Sequence, residues 1–258
     1  MRHLIIVLAA ILAIASASPL KVDNFKEKIL LADENARNTI IEQIVLSLFE
    51  EIRQAMVDGS GNIPVLDPFG IDEIYVDQNV ISIIPGYVSI KDMIVKGLST
   101  FVVNDLSINM ASLQNIGFTI DGSIPLVDVD VGGYDLELTI YGGRIFGSGD
   151  GKFKIAEPRA NVDLALSLSL SDGIFLQIRE CRISVSLDSF DPEISGMFND
   201  PVLNEFVNVF LKMFVEEGLV LFESEVTEFL STNVMELGNR LLADLDLSDF
   251  FETNKLLL

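Results

Sequence analysis

Apolar residues recur at intervals of three and four over residues 24–58. Ile29, Ala36, Ile40, Ile44, Leu48, Ile52 and Met56, flanked by Ile41, Val45 and Phe49, form one wide stripe, while Glu34, Arg37, Glu42, Glu50 and Arg53 fall mostly on the other face. This spacing predicts an amphipathic helix. Asn24 followed three residues later by Glu27 supplies a capping-box start, and Gly59-Ser60-Gly61-Asn62 supplies the positive-φ positions of a stop.

From residue 71 to about residue 187 the period falls to two. Val162, Leu164, Leu166, Leu168 and Leu170 alternate with Asp163, Ala165, Ser167 and Ser169, and Tyr134, Leu136, Leu138 and Ile140 alternate with Asp135, Glu137, Thr139 and Tyr141. Half-buried antiparallel strands have this pattern. Turn signals at Pro85-Gly86, Asp121-Gly122, Gly132-Gly133, Gly142-Gly143, Gly147 to Gly151 and Asp172-Gly173 divide the stretch into a meander. One strand changes parity. Ile174, Leu176 and Ile178 are even-numbered but Ile183, Val185 and Leu187 are odd, so a β-bulge is expected between Arg179 and Arg182, bending the strand and giving Cys181 the inward parity of Ile183.

The helical period then returns. Asp200-Pro201 is an N-cap followed by proline at the first helical position. Val202, Phe206, Val209 with Phe210, Met213, Leu219, Phe222, Val226, Phe229 with Leu230, Val234, Leu237 and Leu241 continue one stripe, and Glu216-Glu217-Gly218 is where a kink or interruption is expected. Uninterrupted, such a helix would be about 60 Å long at 1.5 Å per residue. Its Phe and Met side chains suit either simple core packing or the lining of a ligand tunnel. The element order, helix then strands then helix, is that of an α+β protein.

Charge and composition narrow the function classes. Arg2 and His3 precede an unbroken apolar run, Leu4 to Ile14, and Ala15-Ser16-Ala17 is a small-x-small cleavage signal, so residues 1–17 read as a signal peptide and 18–258 as a single secreted domain. Without the leader the chain keeps 16 Lys and Arg against 39 Asp and Glu, a net charge of −23. Such a charge repels nucleic acid and anionic membranes, so neither is expected as a partner. It also keeps a chain that is 49% hydrophobic dispersed. Cys181 is the only cysteine, so no intrachain disulfide exists; the thiol is either a small buried hydrophobe or half of an intermolecular bridge.

Catalytic patterns fail in turn. His3 is the sole histidine and leaves with the leader, which excludes Ser-His-Asp triads, Cys-His dyads and histidine metal sites. Gly147-Ser148-Gly149-Asp150-Gly151-Lys152 faintly resembles a phosphate loop, but the first glycine position falls on Phe146 and the Ser/Thr position on Phe153. Asp244, Asp246 and Asp249 lack the glycine and glutamate of a calcium loop. Asp128 and Asp130 alternate with Val127, Val129 and Val131, as an ordinary outer strand face does. No enzyme activity, cofactor or metal is expected.

Ile63-Pro64-Val65-Leu66-Asp67-Pro68-Phe69 lies between the first helix and the strands; its two prolines hold φ near −65° and make a stiff crossing. The segment resembles the I-P-x-L-D-P-[LF] motif of the insect takeout and haemolymph juvenile hormone-binding family. Tyr141-Gly142-Gly143-Arg144-Ile145 leading to Gly147-Ser148-Gly149-Asp150-Gly151 is similar to that family's strand-turn segment, and Phe198-Asn199-Asp200-Pro201 looks like the helix start it shares with mite group 7 allergens. The resemblance covers about residues 24–245. It departs at the N-terminus, where takeout-type proteins typically carry a cysteine pair that is missing from this chain.

The resemblance implies a long C-terminal helix wrapped by a highly curved antiparallel β-sheet, with an N-terminal amphipathic helix. It further implies a secreted carrier of a small hydrophobic ligand (terpenoid, juvenile hormone-like, or fatty acid) in an internal apolar cavity. Phe206, Phe210, Met213 and Phe214, facing Leu136, Leu138, Ile140, Leu164, Leu166 and Leu168, are the expected lining. The alternative is a packed-core structural or immune-recognition, allergen-like protein of the same fold that binds a partner or lipid surface.

Overall fold

The computed structural model describes residues 34–59, 65–77, 85–112, 115–140, 142–169 and 175–242. Helix α1 spans Glu34–Asp58 and stops at Gly59, whose φ of 74° only glycine adopts freely and whose amide donates to the Ala55 carbonyl. The capping-box residues Asn24 and Glu27 lie outside the described residues. Nine strands follow: β1 Phe69–Asp77, β2 Gly86–Lys96, β3 Val102–Ser112, β4 Asn115–Ser123, β5 Leu126–Ile140, β6 Gly143–Ala156, β7 Arg159–Ser169, β8 Phe175–Ser186 and β9 Ser189–Ile194. A 3₁₀ turn, Leu98–Thr100, separates β2 from β3. Helices α2, Pro201–Leu221, and α3, Glu223–Leu242, close the chain.

All strand pairings are antiparallel, in the orders β1-β2-β5-β6-β9 and β3-β4-β7-β8. Together they make the curved antiparallel sheet of an α+β fold, with the C-terminal helix along it. Bulges supply curvature. In β8, Ile178 pairs with Leu166 and Glu180 with Ala165, so Arg179 is the added residue, at the start of the interval where the parity change requires one. Arg179 and Glu180 are both exposed while Ile178 and Ile183 are buried, the signature of a one-residue slip.

Three glycine signals read as turns lie inside strands instead. Gly132-Gly133 is a bulge in the 15-residue strand β5, between the Val131–Gly151 and Tyr134–Gly149 pairs. Asp121-Gly122 belongs to β4, and the chain turns two residues later at Ile124-Pro125. Gly147, Gly149 and Gly151 share one face of β6, and the segment after β9 crosses over Gly147 and Gly149. A Cβ on Gly149 would stand 2.5 Å from the Ser195 carbonyl oxygen, and one on Gly147 would stand 2.7 Å from Met197 Sδ. The Ser195 amide donates to Asp150 O and the Phe198 amide to Phe146 O, both at 2.9 Å. A spacing that resembles a phosphate cradle is therefore a backbone crossing. Gly142, with a φ of 80°, lies at a turn between β5 and β6 where the Gly142-Gly143 signal puts one, and Asp172-Gly173 lies outside the described residues.

Asp200 caps α2 as its sequence requires, its Oδ1 accepting from the amides of Val202 at 2.8 Å and Leu203 at 3.0 Å. The helical break falls at Phe222, four residues beyond Gly218. Phe222 takes φ −112° and ψ 28°, yet its amide still donates to Gly218 O and its carbonyl still accepts from Val226, both at 2.9 Å. Glycine lowers the cost of a break but does not fix its place.

Candidate ligand site

The proline heptad ties the end of α1 to the corner between β2 and β3. Leu66, 0% exposed, packs on Ile52 and Met56, with Phe49, Phe69, Leu98 and Phe101 around them. The amides of Leu66 and Asp67 both donate to the Met56 carbonyl, at 2.8 and 3.0 Å, satisfying an acceptor that a helix end leaves open. The Asp67 carboxylate accepts from Gly97 N at 3.0 Å and from Ser99 N at 2.8 Å and Ser99 Oγ at 2.5 Å. Burial pushes the Asp67 carboxyl up, but these three donors outweigh it and hold its pKa below the ordinary value. Arg53 closes the corner, donating to Phe101 O at 2.7 Å with its guanidinium 4.7 Å over the Phe101 ring. The most family-like motif thus works as a structural clasp.

Helix α2 has two unlike sides. Asn204, Asn208, Lys212 and Glu216, spaced four apart, share the side docked on β9. Asn208 exchanges two hydrogen bonds with Ile194, accepting from its amide at 2.8 Å and donating to its carbonyl at 3.1 Å. Asn204 donates to Ile194 O at 2.8 Å and accepts from Met197 N at 2.9 Å, and Glu216 Oε1 accepts from Phe190 N at 2.8 Å. Lys212 pairs with Asp191, with Glu216 3.8 Å away; the Asp191 hydrogen bond raises its pKa. Helix α3 treats β8 alike, Asn239 bonding both backbone groups of Ile178 and Ser231 Oγ accepting from Ile183 N. Polar side chains thus satisfy the sheet's edge amides and carbonyls.

At 100° per residue, Phe206, Phe210, Met213 and Phe214 fall on the side of α2 turned away from β9. The Phe206, Phe210 and Phe214 rings stack at centroid spacings of 6.4 and 5.7 Å. Phe206 is 65% exposed, and Phe210, Met213 and Phe214 are each just over half exposed. Of the expected sheet residues, Leu136 and Leu138 are half-buried on β5, and Leu164 and Leu166 are half-buried on β7. β5 and β7 belong to different hydrogen-bonded sheets, so these residues form two groups rather than one wall. The side chains of Ile140 and Leu168 lie outside the described residues. Cys181, opposite Leu164, is free and half-buried, and burial pushes its thiol pKa up.

A cavity of about 350 Å³ opens where α2 gives way to α3. Arg159 and Asn161 of β7, Ser184 and Ser186 of β8, Glu216 and Leu219 of α2, and Glu223 of α3 contribute to its wall. Of these residues only Leu219 belongs to the periodic stripe read from the sequence, because the wall is drawn from four elements. The polar spacing Asn204–Asn208–Lys212–Glu216 is the signal that would have identified the docked side of α2. Among the described residues, no helix is long and apolar enough to cross a membrane.

A curved antiparallel sheet whose β9 and β8 edges are met by α2 and α3, with an apolar stripe of α2 that the described residues leave exposed, defines an α+β fold. The family model described as haemolymph juvenile hormone binding protein matches residues 7–252, and the chain belongs to that family. The crystal structure of Epiphyas postvittana Takeout 1 shares the fold, with a TM-score of 0.50 and 15% identity over 79% of this chain and 94% of that one. The crystal structure of a lipopolysaccharide binding protein gives a TM-score of 0.35 and 14% identity over 80% of this chain and 38% of that one. Comparison with the curated proteins finds no match.

Proposed function

We propose that this protein is a secreted carrier that binds a small hydrophobic ligand, a terpenoid, juvenile hormone-like molecule or fatty acid, against the apolar side of α2. The supporting observation is that side: Phe206, Phe210, Met213 and Phe214 hold a continuous apolar stripe that the described residues leave more than half exposed. The reading adds two half-buried apolar groups of the sheet, Leu136 and Leu138 on β5 and Leu164 and Leu166 on β7. Removing water from this surface is the driving force. A ligand that buries roughly 350 Å² of apolar area gains about 9 kcal/mol at ~25 cal/mol/Å² before ordering costs, enough for affinities near micromolar. Membership of a family named for hormone binding agrees with this reading. So does the absence of a histidine beyond His3, which leaves the site without the usual hydrolytic machinery.

Titration with N-phenyl-1-naphthylamine tests the proposal. The carrier reading predicts saturable uptake of one probe per chain, weakened at least tenfold by Phe210→Asp, because an unpaired charge in an apolar site costs several kcal/mol. Uptake unchanged in a folded Phe210→Asp variant would contradict it.

The same exposure supports a second reading, in which α2 docks on a partner protein or a neutral lipid surface. That reading predicts co-sedimentation with phosphatidylcholine vesicles and no stoichiometric uptake of soluble probe. Secretion is tested separately by N-terminal sequencing of the protein from culture medium, where the first residue should be Ser18.

A further inference from the structure

This chain twice seats one of its own arginines on an aromatic ring with a carboxylate beside it. Arg53 holds its guanidinium 4.7 Å over the Phe101 ring and pairs with Glu50. Arg144 lies 5.0 Å over the Phe146 ring and donates to Glu137 at 2.7 Å. One arrangement joins a helix to a corner and the other joins two strands, so the common geometry follows from the groups themselves. A planar, weakly hydrated cation stacks on a π face while its N–H groups reach a carboxylate.

A third set of rings and carboxylate lies beside the second. Tyr75 of β1 and Tyr87 of β2 stack at a centroid spacing of 6.2 Å and an interplanar angle of 19°, and the Tyr87 hydroxyl donates to Asp135 of β5 at 3.2 Å. Tyr75 pairs with Ser89 and Ser89 with Asp135, while Tyr87 pairs with Glu137 and Glu137 with Phe146, which puts these side chains on one face of the sheet. Tyr75 is 59% exposed and Asp135 is exposed, and among the described residues no basic side chain lies over either tyrosine ring. Arg144 and Lys91 share this face but are already paired, with Glu137 and, at 3.8 Å, with Glu73.

We propose that Tyr75, Tyr87 and Asp135 form a docking point for an arginine on the surface of a partner protein. Nothing in this assignment depends on what α2 binds. A net charge of −22 draws a basic partner surface toward this chain and speeds the encounter. Arginine is favoured over lysine because a guanidinium covers a ring and still donates to the carboxylate, as Arg53 and Arg144 do. Tyrosine and arginine are also the side chains in which interfaces concentrate their binding energy. A stacked tyrosine pair supports the edge strand β1 as well, but that role needs neither the charge of Asp135 nor an added cation.

The test titrates the full mature chain at low salt with a capped pentapeptide carrying one arginine between glycines, and with its citrulline and lysine counterparts. Binding is followed by NMR of isotope-labelled tyrosine rings; the chain has four tyrosines, so single substitutions assign Tyr75 and Tyr87. The arginine peptide should shift both rings and bind at least fivefold more tightly than the citrulline peptide and at least twofold more tightly than the lysine peptide. Tyr75→Ala and Asp135→Asn should each weaken it at least threefold. Where Tyr75→Ala disturbs β1 in thermal melts, the near-isosteric Asp135→Asn decides. Equal affinity for citrulline, or an affinity that Asp135→Asn leaves unchanged, would reduce the effect to general attraction by an acidic chain and overturn the proposal. Tighter binding of phosphocholine than of the arginine peptide would overturn it in favour of a lipid head group, and ring shifts that follow protein concentration without any peptide would overturn it in favour of a second copy.

Discussion

The Leu66 cluster and the α2 stripe are built from the same kinds of side chain, yet one is closed and the other open. Leu66, Ile52 and Met56 are almost wholly buried, locked by the hydrogen bonds that the Asp67 carboxylate accepts from Gly97 and Ser99 and those that the Leu66 and Asp67 amides donate to the Met56 carbonyl. The Phe206, Phe210 and Phe214 rings stack on one another and stay more than half exposed, while Asn204, Asn208 and Glu216 hydrogen-bond α2 to the β9 backbone. A helix normally fastens itself with its apolar stripe. The docked side of this one mixes half-buried Leu211 and Val215 with that polar row, and the described residues leave the stripe of Phe206, Phe210 and Phe214 exposed. On the carrier reading proposed above, the closed cluster serves stability and the open stripe serves binding.

The strongest way to break that division is at its closed end. Leu66→Ala leaves a cavity among fully packed neighbours and should cost about 2–5 kcal/mol in chemical denaturation, with probe affinity of the folded fraction unchanged. Phe210→Asp should do the opposite, moving stability by less than about 1 kcal/mol, as expected for a surface position, while affinity falls at least tenfold. If both variants lost stability and binding together, the two regions would be one core and the contrast would fail.

Asp67 sharpens the same comparison through pH. Its carboxyl titrates below the ordinary value of 3.8 in the folded protein, so its stabilisation is complete above that value and is lost as pH falls through the lower folded pKa. Asp67→Asn should cost about 1–3 kcal/mol at neutral pH and flatten the acid limb of the stability profile. An unaltered acid limb would remove Asp67 from the clasp. The smallest effect belongs to Cys181. With its thiol half-buried and its pKa raised, native labelling at pH 8 should run at least tenfold slower than in denaturant; equal rates would contradict burial.

Much of this division is legible in the sequence. The stop at Gly59, the Asp200 cap and the β8 bulge follow from local rules, because capping, φ > 0 and side-chain parity act within a few residues. The reading of Gly147 and Gly149 as a turn failed because glycine marks both a turn and a place where another backbone comes close, and the approaching segment, Ser195 to Met197, is more than forty residues away. The docked side of α2 was missed for a related reason. Periodicity finds apolar stripes and presumes they face the protein, whereas Asn204, Asn208 and Glu216 meet β9 only because its outer edge needs hydrogen-bond partners. The cavity is assembled from four elements, and of its wall only Leu219 belongs to the periodic stripe.

Native mass spectrometry of the mature chain with methyl palmitate tests the central claim most directly. The account predicts one ligand per chain, retained by Leu66→Ala in its folded charge states and lost from Phe210→Asp. Equal occupancy in Phe210→Asp and the unsubstituted chain, or no ligand on either, would contradict the assignment of α2's open side to binding.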